Sequence, residues 1–264
     1  MPSRRTILAL LPLAATLSQA ADTQPSPFGP TQCEGAYPRH LQGVCGNGRD
    51  ALYWCWTDAL VKTDPQGRIL KKVPVANHHG DLCHHNGRVY VAVNLGKFNR
   101  PPGAADSWVY VYDDETLAEV ARHPVPELVH GAGGMAWQAG RFIVIGGLPP
   151  EIDENYLYEY DEDFKFIKRH VLASGNTRMG IQTAAFAEGS WWFGCYGSPP
   201  ILLRCDTDFQ LTGKWEFNAS VGIVPLGNGQ FLIAQNKVEK DKSNTARLLL
   251  ARADEQRGLV IEER

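Results

Sequence analysis

Gly87-Arg88-Val89-Tyr90-Val91, followed by Trp108-Val109-Tyr110-Val111-Tyr112-Asp113, is a glycine turn leading into one strand, then a second strand that an aspartate ends. Val, Tyr and Trp suit a pleated, half-buried surface, and an aspartate at a strand end bonds its own backbone and starts a turn. The couplet recurs along the chain. Upstream it reads Asp50-Ala51-Leu52-Tyr53-Trp54 with Ala59-Leu60-Val61-Lys62-Thr63-Asp64. Downstream it reads Gly140-Arg141-Phe142-Ile143-Val144 with Tyr156-Leu157-Tyr158-Glu159-Tyr160-Asp161, then Gly189-Ser190-Trp191-Trp192-Phe193 with Ile201-Leu202-Leu203-Arg204-Cys205-Asp206. The last copy is Gly229-Gln230-Phe231-Leu232-Ile233 with Arg247-Leu248-Leu249-Leu250-Ala251-Arg252. Asp64, Asp113, Asp161 and Asp206 follow one another at 49, 48 and 45 residues. A further strand closes each unit, as in Ile69 to Val75 and Phe166 to Leu172. Four antiparallel strands at such a period predict a propeller blade. The copies together predict an all-β chain with a five-bladed β-propeller over residues 39–264. A β-sandwich also has many short strands, but it would not repeat its turn chemistry in phase.

The N-terminus has a different composition. Residues 1–20 read as an export signal: Arg4 and Arg5, an apolar run from Ile7 to Leu17, and Ser18-Gln19-Ala20 as a cleavage site. The run is well short of the roughly 20 apolar residues that span a bilayer, and no later segment is longer. A periplasmic or secreted protein without a transmembrane segment is expected. Ser3-Arg4-Arg5-Thr6-Ile7-Leu8 resembles a twin-arginine signal, although an ordinary Sec signal with two arginines is the preferred reading. Residues 21–38, rich in Pro and Gly, predict a strap across the first and last blades. Loss of Arg4 and Arg5 takes the formal charge from −3 to about −5, and no basic stretch remains. Nucleic acid is therefore not an expected partner, and a monomer is. The six cysteines match no C-x-x-C metal spacing, and at most one or two disulfides are expected.

Blade order decides which loops share a face. Loops between blades lie on the same face as those joining second to third strands, here called the top. The bottom turns, such as Asn86-Gly87, are short and built from turn residues. Ahead of the inner strands, the top carries His40-Leu41-Gln42-Gly43, Asn77-His78-His79-Gly80-Asp81, His130-Gly131-Ala132-Gly133-Gly134 and Arg178-Met179-Gly180-Ile181-Gln182. His40, His78 or His79, and His130 fall at matching positions of the first three blades. They predict an axial pocket to which Asp81 and Gln182 add a carboxylate and an amide. Such a set suits a divalent metal held by His40, His79 and His130 through neutral imidazoles, or acid–base chemistry by His79, His130 and Asp81. Alternatively, the histidines bond neighbouring backbone and fix the loops. His40, Gln42, His78, Gln182, Asn94 and Arg178 are expected to contact ligand, with Trp56 and Tyr196 as aromatic platforms at strand tops. The segment from Leu95 to Ser107, with Lys97, Asn99 and Arg100, is long enough to be functional. His84, His85, His123 and His170 are expected to be structural or solvated.

His40-Leu41-Gln42-Gly43-Val44, Leu52-Tyr53 and Gly67-Arg68-Ile69-Leu70-Lys71-Lys72-Val73-Pro74-Val75 resemble the first blade of plant-type glutaminyl cyclases, where Phe-Thr-Gln-Gly-Leu starts a five-bladed propeller. His79-Gly80-Asp81-Leu82 and Val111-Tyr112-Asp113-Asp114-Glu115-Thr116-Leu117 are similar to that family's Gly-Glu-Gly-Leu segment and its Tyr-Asp-x-x-Thr-Leu turn. The likeness runs over residues 40–215 and implies the architecture, with Gln42 and Asp81 in the pocket. The family's Asn-Glu-Leu-Glu segment is replaced here by Gly180-Ile181-Gln182-Thr183, so the resemblance does not carry the cyclisation activity. The leading expectation is an exported lyase or hydrolase, metal-assisted or not, acting on a small polar ligand such as a carbohydrate. A non-catalytic binding propeller and a cyclase-type aminoacyltransferase are the alternatives.

Overall fold

The computed structural model describes residues 26–262; the expected signal and the start of the strap lie outside them. A short strand, β1 (Thr31–Gln32), comes first. Blade 1 is β2 (Leu41–Gly46), β3 (Leu52–Trp56), β4 (Ala59–Thr63) and β5 (Ile69–Pro74). Blade 2 is β6 (His79–His85), β7 (Arg88–Asn94), β8 (Ser107–Asp113) and β9 (Glu119–Pro124). Blade 3 is β10 (Ala132–Gln138), β11 (Arg141–Gly146), β12 (Asn155–Tyr160) and β13 (Phe166–Leu172). Blade 4 is β14 (Arg178–Ala187), β15 (Ser190–Tyr196), β16 (Ile201–Cys205) and β17 (Leu211–Glu216), and blade 5 is β18 (Ile223–Gly227), β19 (Gln230–Val238), β20 (Asn244–Asp254) and β21 (Gly258–Ile261). Each blade is an antiparallel sheet in chain order, which makes the molecule an all-β, five-bladed propeller.

The turn residues behave as their chemistry dictates. Asp64, Asp161 and Asp206 each accept, through Oδ1, the backbone N–H groups two and four residues on. Between first and second strands, Asn86-Gly87, Ala139-Gly140, Glu188-Gly189 and Asn228-Gly229 have positive φ at both residues. That is the two-residue hairpin turn whose twist matches its strands.

One apolar cluster fills each interface between neighbouring blades. Outer strands such as β9 and β17 alternate toward solvent. Toward the axis the inner strands crowd together. A Cβ at Gly80 would collide with the Gly133 carbonyl of the next blade, and one at Gly134 with the Gln182 carbonyl and Asp81. The glycines of the His-Gly-Asp and Gly-Ala-Gly-Gly segments are therefore a packing requirement of the narrow ring.

The first and last strands, β1 and β21, both pair with β20. Its outer edge pairs with β21 at Ala251–Asp254 and with the N-terminal segment at Thr31↔Leu248, Gln32↔Arg247 and Tyr37↔Asn244. Phe28, Cys33 and Tyr37 enter the core between blades 5 and 1. Glu34 Oε2 accepts the Ile69 N–H of blade 1 at 2.8 Å. The segment thus joins first and last blades. All six cysteines are free thiols. No helix among the described residues is long and apolar enough to cross a membrane.

Candidate functional site

At the top mouth of the channel, the buried Gln42 side chain gathers its neighbours. Its amide nitrogen lies 2.8 Å from His40 Nε2, 2.8 Å from His78 Nε2 and 3.0 Å from Thr57 Oγ1. An amide nitrogen carries two hydrogens, so three acceptors exceed its capacity. The amide turned over places Oε1 there instead, accepting Nε2–H from both rings, and oxygen and nitrogen are interchangeable in shape. In that arrangement Nδ1 of each ring keeps its lone pair. Burial holds both imidazoles below the ordinary histidine pKa; Arg39 adds to the effect at His40, and His40 adds to it at His78. The shift favours the neutral form of both rings at pH 7.

The long loop after β7 covers the next part of the mouth. Asn99 accepts the Leu148 N–H at 2.9 Å, and its own N–H donates to the His130 carbonyl at 2.9 Å. Phe98 lies edge-on to His78, with ring centroids 6.5 Å apart. The missing side chains of Gly131 and Gly133 make room for the Phe98 ring. Beyond Phe98 opens a cavity of about 380 Å³ lined by Arg100, Arg178, Asn176, Leu148 and Met179. Neither Arg100 nor Arg178 forms an ion pair among the described residues. Gln182 donates from its amide to the Met179 carbonyl at 2.8 Å, and Tyr196 at the top of β15 is half-buried, its phenol pushed up to about 12 by burial.

Several sequence expectations need correction. His79 points into the blade, fully buried, with Nδ1 2.5 Å from the Ala76 carbonyl and Nε2 2.7 Å from the Tyr112 hydroxyl. Burial lowers its pKa to about 4. With both ring nitrogens engaged, His79 has no lone pair for a metal or a substrate. His130 is buried, with Nδ1 2.8 Å from the Arg100 carbonyl, and it fixes the long loop. The expected His40, His79 and His130 metal set is therefore not assembled, and among the described residues no group of three His, Cys, Asp or Glu side chains is placed to hold a metal ion.

Asp81 lies deeper than the mouth, buried beside Gly43 and Gly134, and its Oδ2 accepts the Ala184 N–H at 3.1 Å. Burial raises its pKa well above the carboxylate range, although the Ala184 and Leu82 N–H groups oppose that. It is a cross-link at the axis, out of reach of a ligand in the mouth. Asn94 is spent on its own loop, donating to the Gly96 carbonyl and accepting the Asp106 N–H. Trp56 has no exposed surface; Tyr37 lies flat on it, with centroids 3.9 Å apart and 12° between planes. Phe98 and Asn176 were missed, and only the length of the loop from Leu95 to Ser107 pointed toward Phe98.

No protein-family model matches the chain, and no curated protein matches it in sequence. Solved structures do resemble it. Kuenenia stuttgartiensis hydrazine synthase superposes with a TM-score of 0.51 at 9% identity, over 95% of this chain and 99% of that one. A Bacteroides caccae protein of unknown function superposes with a TM-score of 0.51 at 10% identity, over 87% of this chain and 83% of that one. The WD40 β-propeller domain of Doa1 gives a TM-score of 0.48 at 11% identity, over 83% of this chain and 68% of that one. At such identities the likeness to the first two is one of fold, and it agrees with the propeller built above.

Proposed function

We propose that the protein is an exported propeller whose top mouth takes a small anionic polar ligand of the acidic-sugar class, with the His40/His78 pair as the proton-transfer element. The observation that carries this reading is the convergence of two imidazoles on one buried amide. A glutamine that fixes the tautomer of two rings leaves their other nitrogens as oriented bases near neutral pH. Arg100 and Arg178 in the adjoining cavity supply guanidinium groups, which suit a carboxylate through paired charge-assisted hydrogen bonds.

Elimination is the chemistry such a set performs on a uronide. An imidazole nitrogen takes the proton from the carbon next to the carboxylate. The electron pair forms a carbon–carbon double bond, and the bond to the leaving glycosidic oxygen breaks, that oxygen taking a proton from water. Arginine at the carboxylate stabilises the charge that develops there. No step passes through a metal.

Calorimetric titration with galacturonate and with oligogalacturonides tests the reading, alongside the absorbance of an unsaturated uronide. Binding that Arg178→Ala weakens about tenfold or more, the expected worth of a charge-assisted hydrogen bond, supports it. Product formation abolished by His78→Gln with binding retained supports the catalytic part. Binding without product supports the non-catalytic alternative, which the structural employment of His79 and His130 favours. Absence of binding overturns the reading. Cyclisation of an N-terminal glutaminyl peptide would instead restore the cyclase-type alternative.

A further inference from the structure

The channel continues below Asp81 to the opposite face, where the inner strands enclose a funnel of about 560 Å³. Small side chains from every blade, including Cys45, Cys83, Ala136, Ala185 and Val224, form its wall, and Phe28 of the N-terminal segment stands at its edge. The bottom face is therefore more than its turns. Among the described residues the lining contains no carboxylate. Of its two basic side chains, His84 is tied to Asp114 at 2.8 Å, whereas Arg49 is exposed and forms no ion pair among the described residues.

From this arrangement we infer that the funnel binds an amphipathic monocarboxylate, its apolar body among the inner strands and its carboxylate at Arg49. The volume lies within the roughly 300–1,000 Å³ of small-molecule sites, which combine apolar walls with a few placed polar groups. Orientation follows from the cost of burying an unpartnered charge. The thiols, alanines and valine of the wall offer a carboxylate no strong donor; the one unpartnered donor in the lining, the Trp137 indole N–H, belongs to the end of β10 next to the bottom turn, and the carboxyl group that closes the channel, Asp81, is driven toward its neutral form. The charged end must therefore sit at the mouth, where the free guanidinium is. Ligand class and pose are independent of the top-face reading, because Asp81, Gly43 and Gly134 close the channel between them.

Decanoate is the probe, with decanol as the uncharged control, titrated calorimetrically into the mature protein. Decanoate is expected to bind at least tenfold more tightly than decanol. Arg49→Glu is expected to remove that preference while leaving decanol unchanged, and Arg178→Ala on the top face is expected to change neither. Cys45 is half-buried in the funnel wall, so bound decanoate is expected to slow its alkylation by N-ethylmaleimide in the unaltered chain. That readout does not depend on any variant folding. Decanoate binding indifferent to Arg49→Glu, or unslowed alkylation of Cys45 at saturating decanoate, would overturn the proposal, as would no binding at millimolar concentration.

Discussion

Asp81 of blade 2 accepts a 3.1 Å hydrogen bond from the backbone N–H of Ala184, 103 residues away in blade 4. One side chain thus links two blades that are not neighbours in the ring, across the axis. Its raised pKa has a definite sign. A carboxyl group that prefers its proton in the folded state gives full stability below the ordinary carboxylate pKa of about 4, and that stability is lost as pH rises toward the folded value. At pH 7 the ionisable group is therefore a cost. Asparagine keeps the acceptor for Ala184 and has no charge to bury. Asp81→Asn is expected to raise the melting temperature by a few degrees at pH 7, where about 1 kcal/mol corresponds to roughly 2–4 °C. The difference should shrink toward pH 4 in scanning calorimetry. A variant less stable than the parent at pH 7 would show that the charge itself is needed.

His79 acts in the opposite direction. Its pKa is lowered to about 4, mainly by burial. The stability tied to its neutral form is complete above the ordinary value of about 6.5 and is lost as pH falls through that value toward 4, on the order of 3 kcal/mol in all. Urea unfolding at steps between pH 7 and 4.5 should show this decline. His79→Gln should flatten the decline and lower stability at pH 7, because a buried hydrogen bond to Tyr112 or Ala76 is lost. An unchanged slope would assign the acid sensitivity to His40 and His78 instead.

The N-terminal segment enters the interface between blades 5 and 1 through the Tyr37–Trp56 stack. Both rings are buried to within 1% of full burial. Tyr37→Ala should cost about 3–5 kcal/mol, as large aromatic truncations in a core do, measured by urea unfolding followed through tryptophan fluorescence. A loss below about 1 kcal/mol would mean that the N-terminal segment merely lies on a ring that closes without it.

The fold was legible because its signals are local. Asp64, Asp113, Asp161 and Asp206 mark turns with their own side chains, and the glycine hairpins repeat in phase. The site was only partly legible. His78 ends the loop before β6 and His79 opens that strand, and the two adjacent rings go different ways, one to Gln42 and the other into the blade against Tyr112. The register shift between His79 and Leu82 removes the means of counting which is which. Trp56 stands at the top of its strand as expected, but the Tyr37 ring that covers it comes from a segment outside the blade repeat. Phe98 finds its place against Gly131 and Gly133 of another blade, a contact no local pattern announces. Gln42, expected from the sequence to contact ligand, is the group on which the His40 and His78 imidazoles meet.

Proton transfer at the top mouth requires His40 and His78 to be neutral, paired and within reach of the ligand. Imidazole ¹⁵N resonances, assigned with His40→Gln and His78→Gln and titrated with galacturonate at pH 7, test this directly. Both rings should show single-tautomer neutral shifts before addition and should titrate below the ordinary histidine value of about 6.5. Both should move on saturation with galacturonate, while the His79 signals stay fixed. Rings already protonated at pH 7, or His40 and His78 signals unmoved by saturating ligand, would contradict it.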